Sequence, residues 1–138
     1  MKKTLIFGVL ALGSVMLSCS NDEESFDPSL LNRKWYHDKT KTLSFVYPYD
    51  GHETCGKDYI EFRADGSMLD VDVLNCEPVT DNYTYTLSNK TISIRYLGNL
   101  QGSADIASLS ASRLVLRTIG DYNGDGQAEL IEEFYTAQ

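Results

Sequence analysis

The chain has 138 residues, of which 20 are acidic and 12 basic, giving a formal charge of −8 at pH 7. This excess of carboxylates excludes functions that need a positive surface, nucleic-acid binding and adsorption to anionic headgroups among them. The length suits one domain with a modest core, and nine tyrosines among abundant Val, Ile and Thr favour strands over helices.

At the N-terminus, Lys2 and Lys3 precede an apolar run from Leu5 to Leu17, which ends at Ser18 and Cys19. The run is shorter than the ~20 residues a spanning helix needs, and its charged, apolar and small-residue regions are those of a cleaved export signal. Met16-Leu17-Ser18-Cys19 resembles the lipobox of bacterial lipoprotein precursors. The resemblance implies cleavage before Cys19, acylation of Cys19, and a membrane contact made through that lipid. Without the two lysines of residues 1–18, 10 basic side chains face 20 acidic ones, a formal charge of −10. Ser20-Asn21-Asp22-Glu23-Glu24 resembles the acidic export signal of surface-exposed lipoproteins of the Bacteroidetes, with a solvated linker as the alternative. The expected organisation is a signal peptide at 1–18, a lipidated cysteine and tether at 19–28, and a β domain at 29–138. The expected location is the outer membrane, facing the cell surface.

Asp27 and Pro28 suit the N-cap and first position of one helical turn. A first strand opens at Trp35 and Tyr36, a second runs from Thr42 to Tyr47, and Tyr47 to Gly51 turn the chain. Residues 58–64 and 67–74 alternate around Asp65-Gly66, a dipeptide suited to a two-residue type I′ turn. That turn pairs Phe62 with Leu69 and Ile60 with Val71 as an apolar face, and sends Asp70 and Asp72 to solvent. Extended outward, the same register sets Cys55 opposite Cys76, close enough for a disulfide in an oxidising envelope. A second hairpin places Leu87 opposite Ile92, Tyr85 opposite Ile94 and Tyr83 opposite Tyr96, across Asn89-Lys90. Strands at Ile106–Leu109, Leu114–Leu116 and Leu130–Tyr135 bring the count to eight or nine.

An up-and-down meander of that size closes into a barrel and so removes its edges, with a β-sandwich as the alternative. Trp35 near the first strand's start, Phe62-x-x-Asp65-Gly66, Leu109-Ser110-x-x-x-Leu114 and an aromatic last strand resemble the lipocalin-like domains of Bacteroidetes lipoproteins. The resemblance implies an all-β barrel with an interior that can hold a ligand.

One motif carries metal chemistry. Asp121 to Glu132 matches the acidic calcium-loop pattern at every required position, and Gly126 permits its bend. Its flanks read as strands, and in that respect it resembles the calcium loops of FG-GAP repeats. That likeness implies ligands from Asp121, Asn123, Asp125, the Gln127 carbonyl and Glu129, holding a structural calcium. A hairpin turn that needs only backbone geometry is the alternative. No Ser, Cys or His pattern marks a catalytic centre, so no enzyme is expected. Two functions remain open: a non-catalytic accessory or interaction module with an envelope protein partner, and a binder of a small hydrophobic ligand. The second predicts an interior lined by Trp35, Phe45, Ile60, Phe62, Leu69 and Ile94.

Overall fold

A computed structural model describes residues 26–138; the segment expected as a signal peptide, Cys19 and the acidic run at 20–24 lie outside the described residues. A 3-10 turn at Pro28–Leu31 leads into nine antiparallel strands. They are β1 (Lys34–Lys41), β2 (Val46–Pro48), β3 (Tyr59–Phe62), β4 (Ser67–Leu74), β5 (Glu77–Ser88), β6 (Thr91–Tyr96), β7 (Asn99–Leu109), β8 (Arg113–Gly120) and β9 (Glu129–Thr136). Neighbours follow the order β2-β1-β3-β4-β5-β6-β7-β8-β9, and β1 also pairs with β9. The sheet is therefore a closed barrel, as the meander predicted, and the sandwich alternative falls. Among the described residues no helix is long and apolar enough to cross a membrane.

The Asp27 carboxylate caps the 3-10 turn by accepting from Ser29 N at 2.9 Å. Leu31 then seals one end of the barrel against Trp35, which is fully buried and donates Nε1–H to the Leu31 carbonyl at 2.9 Å. Phe62, Met68, Ile92, Ile106, Leu114 and Leu116 complete this apolar half, so side chains fill it. The opposite end carries the β1–β2, β4–β5, β6–β7 and β8–β9 connections.

The hairpin of β5 and β6 has the expected register, with Leu87 opposite Ile92 and Tyr85 opposite Ile94. That of β3 and β4 does not. Phe62 pairs with Met68 and Ile60 with Asp70, one residue away from the expected pairing. Gly66 alone takes a left-handed φ of 84°, while its N–H bonds Arg63 O and the Arg63 N–H bonds Ser67 O, both at 3.0 Å. The loop therefore has three residues, Ala64-Asp65-Gly66, and Asp65 accepts from Ser67 N at 2.9 Å instead of taking positive φ itself. A one-residue slip moves every side chain of a strand to the other face. Leu69, Val71 and Val73 consequently face outward, and Asp70 and Asp72 face into the barrel.

The second strand is also broken. β2 pairs with the upper part of β1 (Lys39↔Pro48) and β3 with its lower part (Tyr36↔Tyr59). Residues 49–58 leave the wall between these collinear halves, and Thr42–Phe45, expected as strand, forms the turn (Thr42 N to Phe45 O, 2.9 Å). The excursion packs over the outer face of β4, with the Gly56 backbone against Val73. Cys55 in this excursion bonds Cys76, with Cα atoms 5.6 Å apart. The disulfide is as predicted, but its placement is not a cross-strand pair. Asn75 and Cys76 form the β4–β5 turn with φ of 53° and 65°. Glu53 accepts from both of their N–H groups, at 2.7 and 2.9 Å.

Candidate functional site

The broken wall gives the barrel a cavity of about 170 Å³ at its open end. β1 contributes His37, β3 Ile60, β4 Asp70 and Asp72, and β9 Tyr135, while Tyr49 and Asp58 come from the two ends of the excursion. Alternation explains the convergence. Trp35 and His37 point inward from β1, Tyr135 lies opposite His37 on β9, and Asp70 lies opposite Ile60 on β4.

The walls are aromatic. The His37 ring stands between Tyr49, at 4.5 Å between centroids, and Tyr135, at 4.9 Å. His52 supports the arrangement from the excursion. Its Nδ1 accepts from the Asp58 N–H at 3.2 Å, so its Nε2–H donates to the His37 carbonyl at 2.8 Å. Asp58 is buried; one of its oxygens accepts from Val73 N at 2.7 Å and the other from the Tyr49 hydroxyl at 2.5 Å. It thereby supplies the ladder partner that β4 lacks beyond the first residue of β3.

The site is negative. Asp70 sits opposite Asp81 on β5, and Glu133 points inward from β9. Desolvation raises the Asp70 pKa, and the charges of Asp72, Asp81, Asp58 and Glu133 raise it further. Burial lowers the pKa of His37, which disfavours a positive charge on its ring. Burial and the bond to Asp58 raise the Tyr49 pKa, and burial followed by Glu133 raises that of Tyr135. The strand lysines and arginines lie on the outer face: Lys39 stacks on Phe134, and Lys41 and Arg117 pair with Glu132.

The predicted lining is redistributed. Trp35 and Phe62 are buried in the filled half, Ile94 packs against that core, and Ile60 reaches the cavity. Phe45 is 63% exposed in the β1–β2 turn, and Leu69 lies on the outer face; neither lines the interior. Both corrections arise from local geometry, a turn where a strand was expected and the slipped register. His37, Tyr49, Asp58, Asp70, Asp72 and Tyr135 were not expected at the site. Reading Gly66 as the left-handed residue of a three-residue loop turns Asp70 and Asp72 inward, and is the signal that finds them.

Asp121, Asn123, Asp125 and Gln127 lie in the exposed β8–β9 loop, and Glu129 opens β9. Asp121 accepts from the N–H groups of Gly124, Asp125 and Gly126 at 2.7–3.1 Å, Asn123 from Asp125 N, and Asp125 from Gln127 N. These acceptors give the loop's acids a role in backbone geometry. Among the described residues, the cluster of candidate ligands with atoms within 4.8 Å of one another is Glu53, Cys55 and Cys76, whose sulfurs are spent on the disulfide.

A closed antiparallel barrel, sealed at one end by an N-terminal 3-10 turn and open at the other, is the calyx architecture. Residues 31–116, more than half of the chain, match the lipocalin-like domain family, and the chain belongs to it. Similar solved structures include the bovine lipocalin allergen Bos d 2, at 14% identity over 82% of this chain and 76% of that one, with a TM-score of 0.49. The odorant-binding protein from bovine nasal mucosa is 15% identical over 82% and 74%, with a TM-score of 0.45. Japanin from Rhipicephalus appendiculatus, bound to cholesterol, is 10% identical over 81% and 78%, with a TM-score of 0.40. No curated protein matches the chain in sequence.

Proposed function

We propose that this domain is a small-molecule binder whose site is the cavity at the barrel's open end, and that it takes a compact ligand instead of a long apolar one. The carrying observation is the division of the interior: core side chains fill the half around Trp35, and the break in the wall leaves about 170 Å³ among Ile60, His37, Tyr49 and Tyr135. Native mass spectrometry of the full chain purified from its envelope, beside Ile60→Trp, tests this. The wild type should carry a small non-protein mass that the tryptophan, by filling the cavity, removes. Bare polypeptide in both would return the domain to the accessory reading, which is supported by the apolar rim around the open end.

The lipobox at Met16–Cys19 and the acidic residues after it support display of the domain on a lipid anchor at the cell surface. Cys19→Ala should move the protein from the membrane fraction to the soluble one and abolish incorporation of labelled palmitate. Calcium in the Asp121–Glu129 loop has the pattern of its acids in its favour. Binding there would raise the melting temperature in millimolar calcium and lower it again with chelator; an unchanged temperature would leave the loop a hairpin turn.

A further inference from the structure

The barrel segregates its charges. The strand cations, Lys34, Lys39, Lys41, Arg95, Arg113 and Arg117, alternate outward, while Asp70, Asp72, Asp81 and Glu133 alternate inward near the open end. The ion pairs among the described residues join Asp38, Glu61 and Glu132 to lysine or arginine, and none involves the cavity's carboxylates. Asp70 accepts no hydrogen bond from the described residues and is set directly against Asp81, a like-charge pairing that weakens a sheet. Asp70 is half-buried, with the exposed Asp72 and Asp81 at its margin, and such a carboxylate without a counter-charge is stabilised by a cation brought from outside.

The surroundings specify which kind. The cavity's acids do not gather three ligand atoms at one point, as a metal ion would need, and His37, Tyr49, Tyr135 and Ile60 line the cavity beside them. Aromatic and aliphatic walls beside a negative recess favour a positive charge that carries its own hydrocarbon, since they bury its carbon. The volume is that of a molecule with several heavy atoms and exceeds that of a bare ion.

We propose that the cavity takes a compact organic cation, an ammonium group held by Asp70 and Asp72 with its carbon skeleton against Ile60, Tyr49, His37 and Tyr135. The inference rests on the cavity being the ligand site and names the class of its ligand. The test is titration of the full chain, in non-ionic detergent at low salt, with three probes of one size: benzylamine, benzyl alcohol and benzoate. Calorimetry reads the affinities, and the backbone amide shifts of His37, Ile60 and Asp70 report where each probe binds. Benzylammonium should bind at least tenfold tighter than the alcohol, with benzoate weakest. D70N or D72N should cut amine affinity at least fivefold and leave the alcohol unchanged, while E61Q, an equal charge loss on the outer face, should leave both unchanged. Equal affinity for amine and alcohol, or an amine affinity insensitive to D70N and D72N, overturns the cation and keeps the cavity. Magnesium chloride that shifts the same amides as strongly as the amine replaces the organic cation with a metal. If no probe shifts those amides at millimolar concentration, the cavity reading and this inference fall together.

Discussion

Asp70 occupies a half-buried position on β4 with Asp72, Asp81, Asp58 and Glu133 around it, so its charged form is disfavoured in the folded barrel. The folded state therefore holds the Asp70 proton more tightly than the unfolded chain does. Its contribution to stability is full below the unfolded carboxyl range and is lost as pH rises through the elevated pKa. Asp70→Asn keeps the shape and removes the charge. At pH 7 it should raise the urea midpoint, and by less at pH 3, where the carboxyl is protonated in both states. Trp35 lies at the opposite pole of the interior, wholly buried and hydrogen-bonded to Leu31 O. Trp35→Ala should cost about 3–5 kcal/mol, measured in the same titration. Gly66, at φ 84°, supplies the left-handed residue of its loop, and Gly66→Ala should cost about 1 kcal/mol.

Among the elements, the excursion of residues 49–58 matters most to the site, because it supplies Tyr49, His52 and Asp58 and has no ladder of its own beyond one isolated bridge, Glu53 to Gly56. Two attachments hold its middle to the β4–β5 turn: the Cys55–Cys76 disulfide and the Glu53 carboxylate on the Asn75 and Cys76 N–H groups. The double substitution Cys55→Ala/Cys76→Ala should lower stability by about 3 kcal/mol, the chain-entropy value for a loop of this length. Ligand affinity should fall by more than Ile60 and the strand residues alone would imply, since a free excursion no longer positions Tyr49 against His37. Amide exchange across residues 49–58, compared between wild type and double variant, separates release of the excursion from global unfolding.

Over the whole molecule, the exposed large apolar side chains among the described residues gather at the open end. Leu43 and Phe45 lie in the β1–β2 turn, Leu74 ends β4, Leu97 tips the β6–β7 hairpin at 84% exposure, Ile119 lies near the end of β8 and Tyr122 in the β8–β9 loop. The closed end shows no such patch because the 3-10 turn and Phe26 cover it. A hydrophobic dye should bind at the rim, and Leu97→Ser with Ile119→Ser should at least halve its fluorescence with the melting temperature unchanged.

What alternation and turn chemistry encode locally was legible in the sequence. This covers the all-β meander, the Leu87–Ile92 hairpin, the Asp27 cap and the buried ends of Trp35 and Phe62. Each of these depends on residues a few positions apart, or on apolar side chains that have one favourable place to go. Tertiary structure decided which face of β4 turned inward, because Asp-Gly serves both a two-residue and a three-residue loop and the choice reverses the strand. Barrel closure through β1 and β9, and the gap where β2 stops short of β3, then brought His37, Tyr49, Asp70, Asp72 and Tyr135 together from positions up to 98 residues apart. No local pattern records that meeting, since the carboxylates at the site are held there by the geometry of the ladder against their own repulsion.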